Sequence, residues 1–207
     1  MKDLEKDLDF ILEVDKMKSI FRRSINLSND RRENDAEHSF YVAISSMILE
    51  DYADNDIDKN KVIRMLLVHD LVEIDADDTF AYDTLGYKTK VEIDADDTFA
   101  YDTLGYKTKY EKEQKAADRL FSILSGKKAV FYRNLYDEFE EAKTEESKFA
   151  NLIDRILPIF LNYYNNGGTW KEAGISKDMV INRIRPFRNS SKALYDYVLN
   201  LLDKYFG

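Results

Sequence analysis

The chain contains two histidines, His38 and His69. Each falls on a helical face whose other positions are apolar or small, such as Val42, Ser45 and Leu49 beside His38. Asp70 follows His69 directly, inside KVIRMLLVHDLVEI (61–74), which is apolar almost all round. Asp154 shares a face with Ala150, Leu157 and Leu161. An ionised carboxylate in such surroundings is costly unless it is paired or bound to a cation. Neutral imidazoles and carboxylates are both ligands of divalent metals. Plainer readings stand beside this one: either histidine as a core imidazole with satisfied nitrogens, and Asp154 as the partner of Arg155. One divalent ion held by His38, His69, Asp70 and Asp154 accounts for all four residues at once.

Positioning these groups falls to helices. Apolar positions at Leu4, Leu8, Ile11, Leu12, Met17 and Ile20 predict a helix over 3–22. A polar loop, NLSNDRREND, follows. Asn34 or Asp35 caps the next helix, which carries His38 in its first turn and runs to about Tyr52. After a second polar loop, DNDIDKN, comes the apolar His69–Asp70 helix, expected at the centre of a bundle. Further helices are expected from Tyr110 to Ser125, closed by Gly126, and over 129–142. Another runs from Glu145 to Asn165, bent at Pro158 so that the Asp154 carbonyl is freed. The chain finishes with 176–185, ended by Pro186, and 191–206.

Composition narrows the partners. A formal net charge of −9 disfavours a polyanion such as duplex DNA. The absence of cysteine excludes disulfides, zinc thiolates and a thiol nucleophile, and fits a reducing cytoplasm. The charged N-terminal stretch lacks a signal-type apolar core, and no apolar run is long enough to span a membrane. Gly-rich phosphate loops and serine elbows are missing. Residues 72–90 recur unchanged at 91–109, so that 1–207 reads as one domain with an inserted tandem copy. Copy one, continuous with His69 and Asp70, is expected to keep the site, and 91–109 to bulge out as a loop or extra helix. If copy two served instead, Glu92 and Asp97 would replace Glu73 and Asp78.

Three segments carry a family likeness: RRENDAEHS (31–39), VHDLVEIDADD (68–78) and KFANLIDRILP (148–158). In this order and spacing they resemble the HD-domain metal-dependent phosphohydrolases, in particular the bacterial 5′-deoxynucleotidase branch. The likeness covers roughly 20–200 apart from one copy of the repeat. It implies an all-α HD-domain bundle with a mononuclear metal site between central helices, formed by His38, His69, Asp70 and Asp154. The implied reaction is hydrolysis of a phosphate monoester, a 2′-deoxynucleoside 5′-monophosphate.

By the same resemblance Glu73, one helical turn past His69, positions or deprotonates the nucleophile. Asp78 assists at the leaving oxygen or the sugar hydroxyl. Arg22 or Arg23 binds the phosphate, Arg23 lying at the better distance from His38. Arg31, Arg32 and Glu33 shape the adjoining loop. Mixed ligands suit Mn, Co, Fe, Ni or Zn better than Mg or Ca. The resemblance also favours a homodimer. Two other readings remain: a cyclic or hyperphosphorylated nucleotide as substrate, and a non-catalytic helical protein that binds metal or nucleotide.

Overall fold

The computed structural model describes residues 2–28, 30–76 and 102–207, with backbone alone over 102–109. Its architecture is helical, with one small sheet.

The first helix, α1 (Lys2–Val14), is shorter than the apolar spacing suggests. A 3-10 turn (Asp15–Ser19) follows, burying Met17, and the chain then extends. Strand β1 (Phe21–Ile25) pairs antiparallel with β2 (Arg32–Asn34), aligning Phe21 with Asn34 and Ile25 with Arg32. Most of the expected polar loop is therefore a hairpin. Alternation, not helical spacing, governs Arg22 and Arg23, which the strand sends to opposite faces.

Helix α2 (Asp35–Leu49) starts on a reciprocal cap. The Glu37 N–H donates to Asn34 Oδ1 (2.9 Å) and the Asn34 N–H donates to Glu37 Oε2 (3.1 Å). This frees Asp35 from capping. Asp58 caps α3 (Lys59–Val68). The expected continuous helix through 74 is interrupted: His69–Val72 form a 3-10 turn, and α4 (Glu73–Ala76) resumes after it. His69 and Asp70 thus sit on the tightened turn, not mid-helix.

Helix α5 (Asp102–Ser122) begins inside the second copy of the repeat. Residues 102–109 are its first two turns, so the helix expected from Tyr110 starts earlier; the rest of the second copy, 91–101, lies outside the described residues. Gly126 does not close a helix either: at φ +57° it opens α6 (Gly126–Glu141).

Helix α7 (Glu145–Tyr164), capped by Thr144, is the axis of the fold. Phe149, Ala150, Leu152, Ile153, Ile156 and Leu157 are all buried along it. Pro158 lies within it, and Asn162 Nδ2 donates to the Pro158 carbonyl at 2.8 Å. The NNGG stretch ends the helix as expected. A short α8 (Gly168–Ala173), not anticipated, follows and buries Trp170. Gly167 has φ +99°, and a Cβ there would collide with the Tyr205 hydroxyl. α9 (Lys177–Ile184) and α10 (Lys192–Phe206) complete the chain.

Two apolar clusters result. One gathers α2, α3, α7, α9 and α10 around residues such as Met65, Ile153 and Val198. The other packs Phe10 and Met17 against Leu71, Val72, Leu120, Phe121 and Tyr136. The 3-10 turn carrying His69 and Asp70 lies between them. No helix among the described residues is long and apolar enough to cross a membrane.

Candidate metal centre

Three elements deliver the predicted ligands to one point. α2 brings His38, the 3-10 turn brings His69 and Asp70, and the middle of α7 brings Asp154. His38 Nε2 lies 2.9 Å from Asp154 Oδ1. His69 Nε2 lies 3.2 Å from Asp70 Oδ2 and 3.4 Å from Asp154 Oδ1. One donor atom each from His38, His69 and Asp154 falls within a 4.8 Å group. Asp70 stands outside that trio, yet its Oδ2 is 3.8 Å from His38 Nε2.

The tautomers are set by outer partners. His69 Nδ1 meets the Leu66 carbonyl at 2.9 Å, which keeps its proton there and turns Nε2 inward. His38 Nδ1 faces Glu33 Oε2 at 3.3 Å. The Phe139 ring packs 4.8 Å from the His69 ring, between centroids, closing one side. His69 Nε2 is buried and makes no hydrogen bond of good geometry, although two carboxylate oxygens lie close. Two imidazoles and two carboxylates converging on one point, with an inward nitrogen lacking a hydrogen bond, fit a divalent ion.

Electrostatics point the same way. Burial disfavours a charged imidazole at His38 and the Arg22 charge adds to that. The hydrogen bond to Asp154, the nearby Glu33 carboxylate and the Asp70 charge outweigh both, so His38 titrates above its ordinary value. At His69 burial again opposes the charge, and Asp70 and Asp154 together raise it well above. Burial would raise the two carboxyls, but the histidines, with Arg22 at Asp70, hold both well below the usual range. The cluster is a seat for positive charge.

Beside it, Arg22 projects inward from β1. Its Nη1 is 2.6 Å from Asp70 Oδ2 and 3.2 Å from Asp35 Oδ1, and its Nε is 3.9 Å from Glu33 Oε2. Arg23 points outward and is exposed. Its carbonyl accepts from Arg32 Nη1 at 3.1 Å. Arg31 pairs with Glu37 and Arg32 with Glu172 on the loop's outer side. Glu73 is buried at the first position of α4. Burial raises the Tyr136 phenol strongly, and the Glu140, Glu113 and Glu73 charges add to this. Asp78, Glu92 and Asp97 lie outside the described residues.

Glu33 is expected only to shape the adjoining loop and Asp35 only as a helix cap; the structure places both against the cluster. Both are buried acids, 2% and 0% exposed, in a stretch that reads as polar loop and cap. The available signal was charge: two acids close to an arginine-rich strand and a ligand histidine.

The HD-domain family model matches this chain over residues 14–92 and again over 90–194. The break falls at the junction of the two repeat copies. A predicted metal-dependent phosphohydrolase from Magnetospirillum magnetotacticum MS-1 superposes with a TM-score of 0.82 at 36% identity. That likeness covers 99% of this chain and 96% of that one. The PH0347 protein from Pyrococcus horikoshii OT3 shares the fold alone, with a TM-score of 0.60 at 19% identity over 94% of this chain and 99% of that one. No curated protein matches the chain. From the family match, and the identity along nearly the whole length of the Magnetospirillum protein, it follows that this chain belongs to the HD-domain family.

Proposed function

We propose that the protein is a metal-dependent phosphohydrolase acting on 2′-deoxynucleoside 5′-monophosphates. One observation carries the reading: Arg22 lies 2.6 Å from Asp70, beside the His38–His69–Asp154 group. A cation and a guanidinium side by side form a seat for a phosphate dianion. The Magnetospirillum relative's description as a predicted metal-dependent phosphohydrolase supports the reaction class. The deoxynucleotide rests on the motif resemblance.

His38, His69, Asp70 and Asp154 would hold the ion, with Mn, Co, Fe, Ni or Zn fitting their donor types. When bound, such an ion lowers the pKa of water and shields phosphoryl charge. Arg22 turns its fork from Asp70 to the phosphate oxygens and fixes the phosphorus in place. Glu73 takes a proton from the attacking water. The water oxygen bonds to phosphorus, the P–O ester bond breaks, and the leaving oxygen takes a proton from solvent so that the nucleoside departs as the alcohol. Asp78 serves at the leaving oxygen or the sugar hydroxyl.

The test is phosphate release from a panel of ribo- and deoxynucleoside monophosphates, with Co or Mn and with a chelator, beside Asp70→Ala. Metal-dependent release from deoxynucleotides, lost in the variant, is expected. Release only from cyclic or hyperphosphorylated nucleotides would overturn the substrate. Bound metal without turnover of any nucleotide would overturn the activity.

A homodimer through α2 goes with this reading. The exposed residues of that helix are Phe40 (67%), Ile44 (43%), Met47 (48%) and Ile48 (73%). Spaced at i, i+4, i+7 and i+8, they line one face. The strip presents on the order of 400 Å² of apolar surface, the size of the largest patch on a typical monomer, which is often functional. Stable interfaces bury roughly 800 Å² per partner, so the strip would form the centre of one. Two copies that each carry −9 meet with least repulsion on an uncharged face, and a second copy supplies it. Light scattering after gel filtration should give twice the 24.3 kDa chain mass, and the monomer for Ile48→Glu. A monomeric wild type would refute the dimer. The compartment that suits a cysteine-free chain of this kind is the cytoplasm.

A further inference from the structure

We propose that Glu33 is a positioning residue that fixes the His38 ring for metal binding and orients Arg22 from the same carboxylate. The inference rests on the metal-centre reading and adds to it a residue outside the ligand set. Glu33 is 2% exposed, at the middle of β2. A buried carboxylate on a three-residue edge strand needs a reason, because leaving it without partners is costly.

Its Oε2 lies 3.3 Å from His38 Nδ1. Neither atom makes a hydrogen bond with good geometry to anything else among the described residues. They are each other's natural partners, short of a hydrogen bond by a small rotation. The 3.9 Å from Oε2 to Arg22 Nε leaves room for that adjustment. When the contact closes, the Nδ1 proton is held on Glu33 and the Nε2 lone pair points at Asp154 and His69. A carboxylate on the far nitrogen also makes the imidazole a stronger donor. His69 has only a backbone carbonyl in the corresponding place, from Leu66. The two histidines are therefore tuned differently, His38 by a charge and His69 by a dipole.

The same oxygen faces the Arg22 guanidinium, which Asp35 and Asp70 grip at its other end. Glu33 thus couples the ring that binds metal to the arginine proposed to bind phosphate. Asp35 grips the arginine at 3.2 Å, and it is the matched control.

The experiment titrates Co²⁺ alone into the full-length protein, in competition with a chromophoric chelator. Glu33→Gln should weaken Co²⁺ affinity by about 10- to 100-fold. Asp35→Asn should change it far less, and activity lost in Glu33→Gln should return as Co²⁺ is raised. A folded Glu33→Gln with wild-type Co²⁺ affinity overturns the proposal and leaves the metal centre standing. A wild type that binds no Co²⁺ overturns the metal centre, and Glu33's role with it. If Glu33→Gln does not fold, ¹⁵N NMR of the Zn-loaded wild type decides. A slowly exchanging proton on His38 Nδ1 supports the role, and an unprotonated Nδ1 overturns it.

Discussion

Arg22 Nη1 lies 2.6 Å from Asp70 Oδ2, so the cationic side chain nearest the site touches one of the carboxylates that would hold the metal. Arg23, its neighbour on the strand, faces outward. Arg22→Ala should lower kcat/KM by about 10²- to 10³-fold, as removal of a charge-stabilising donor does. Arg23→Ala should stay close to wild type. Steady-state kinetics on both variants decide between them, and the reverse pattern would show that the strand faces are misread.

Asp154 Oδ1 reaches both imidazoles, and no other described carboxylate oxygen lies as near to His38 Nε2. Asp154→Asn should abolish any rise in Tm on adding Co²⁺. For the wild type at a hundredfold excess over Kd, that rise corresponds to about 2.7 kcal/mol. Thermal scans with and without metal test this. An unchanged metal-dependent shift in the variant would remove Asp154 from the ligand set.

The metal-free protein should lose stability as pH rises. His38 and His69 titrate above their ordinary values in the fold, so their contribution is complete below the unfolded value of about 6.5 and is lost through the raised folded values. Asp70 and Asp154 titrate low, so theirs is complete above about 3.9 and is lost only in strong acid. Metal reverses the alkaline trend, because only neutral imidazoles bind it. The Tm increment on adding Co²⁺ should therefore grow with pH across the range in which the metal-free Tm falls. A metal-free Tm that is flat or rising there would contradict the assignment.

Glu73 is buried beside the ligand turn and is given the proton-accepting task. Glu73→Gln should reduce kcat by about 10²- to 10⁴-fold and leave Co²⁺ affinity largely intact. Calorimetric metal binding and single-turnover phosphate release separate the two effects. Equal losses in both would recast Glu73 as a structural support.

Deleting one copy of the repeat should leave a working protein. α4 begins in the first copy and α5 in the second, so a chain with one copy still supplies both segments. Removing 72–90 or 91–109 yields the same polypeptide. Its metal affinity and phosphate release should match or exceed those of the full chain. Loss of metal binding would mean that the added copy supports the site.

The cluster of His38, His69, Asp70 and Asp154 was legible because burial makes charge conspicuous: two histidines and two acids on apolar faces have few alternatives. The bundle followed from helical spacing, as at α7. The hairpin did not, since Met17 and Ile20 continue the spacing of α1 although the chain has already turned and extended. Glu33 and Asp35 read only as a loop-shaping residue and a cap, because an acid in a polar stretch looks solvated until the arginine behind it is seen. The 3-10 turn at His69 was invisible for a related reason, as its sequence is as apolar as the helix before it.

His38 and Asp154 are 116 residues apart in the chain. An ion gripping both would work as a cross-link closing a long loop, and long loops are where tying two points restricts the unfolded chain most. With no cysteine available, this protein has no covalent means to the same end. A protease probing the metal-free form should therefore find it open more often than the loaded one. The lifetime of the polypeptide, and not only its turnover, would then follow the supply of the ion.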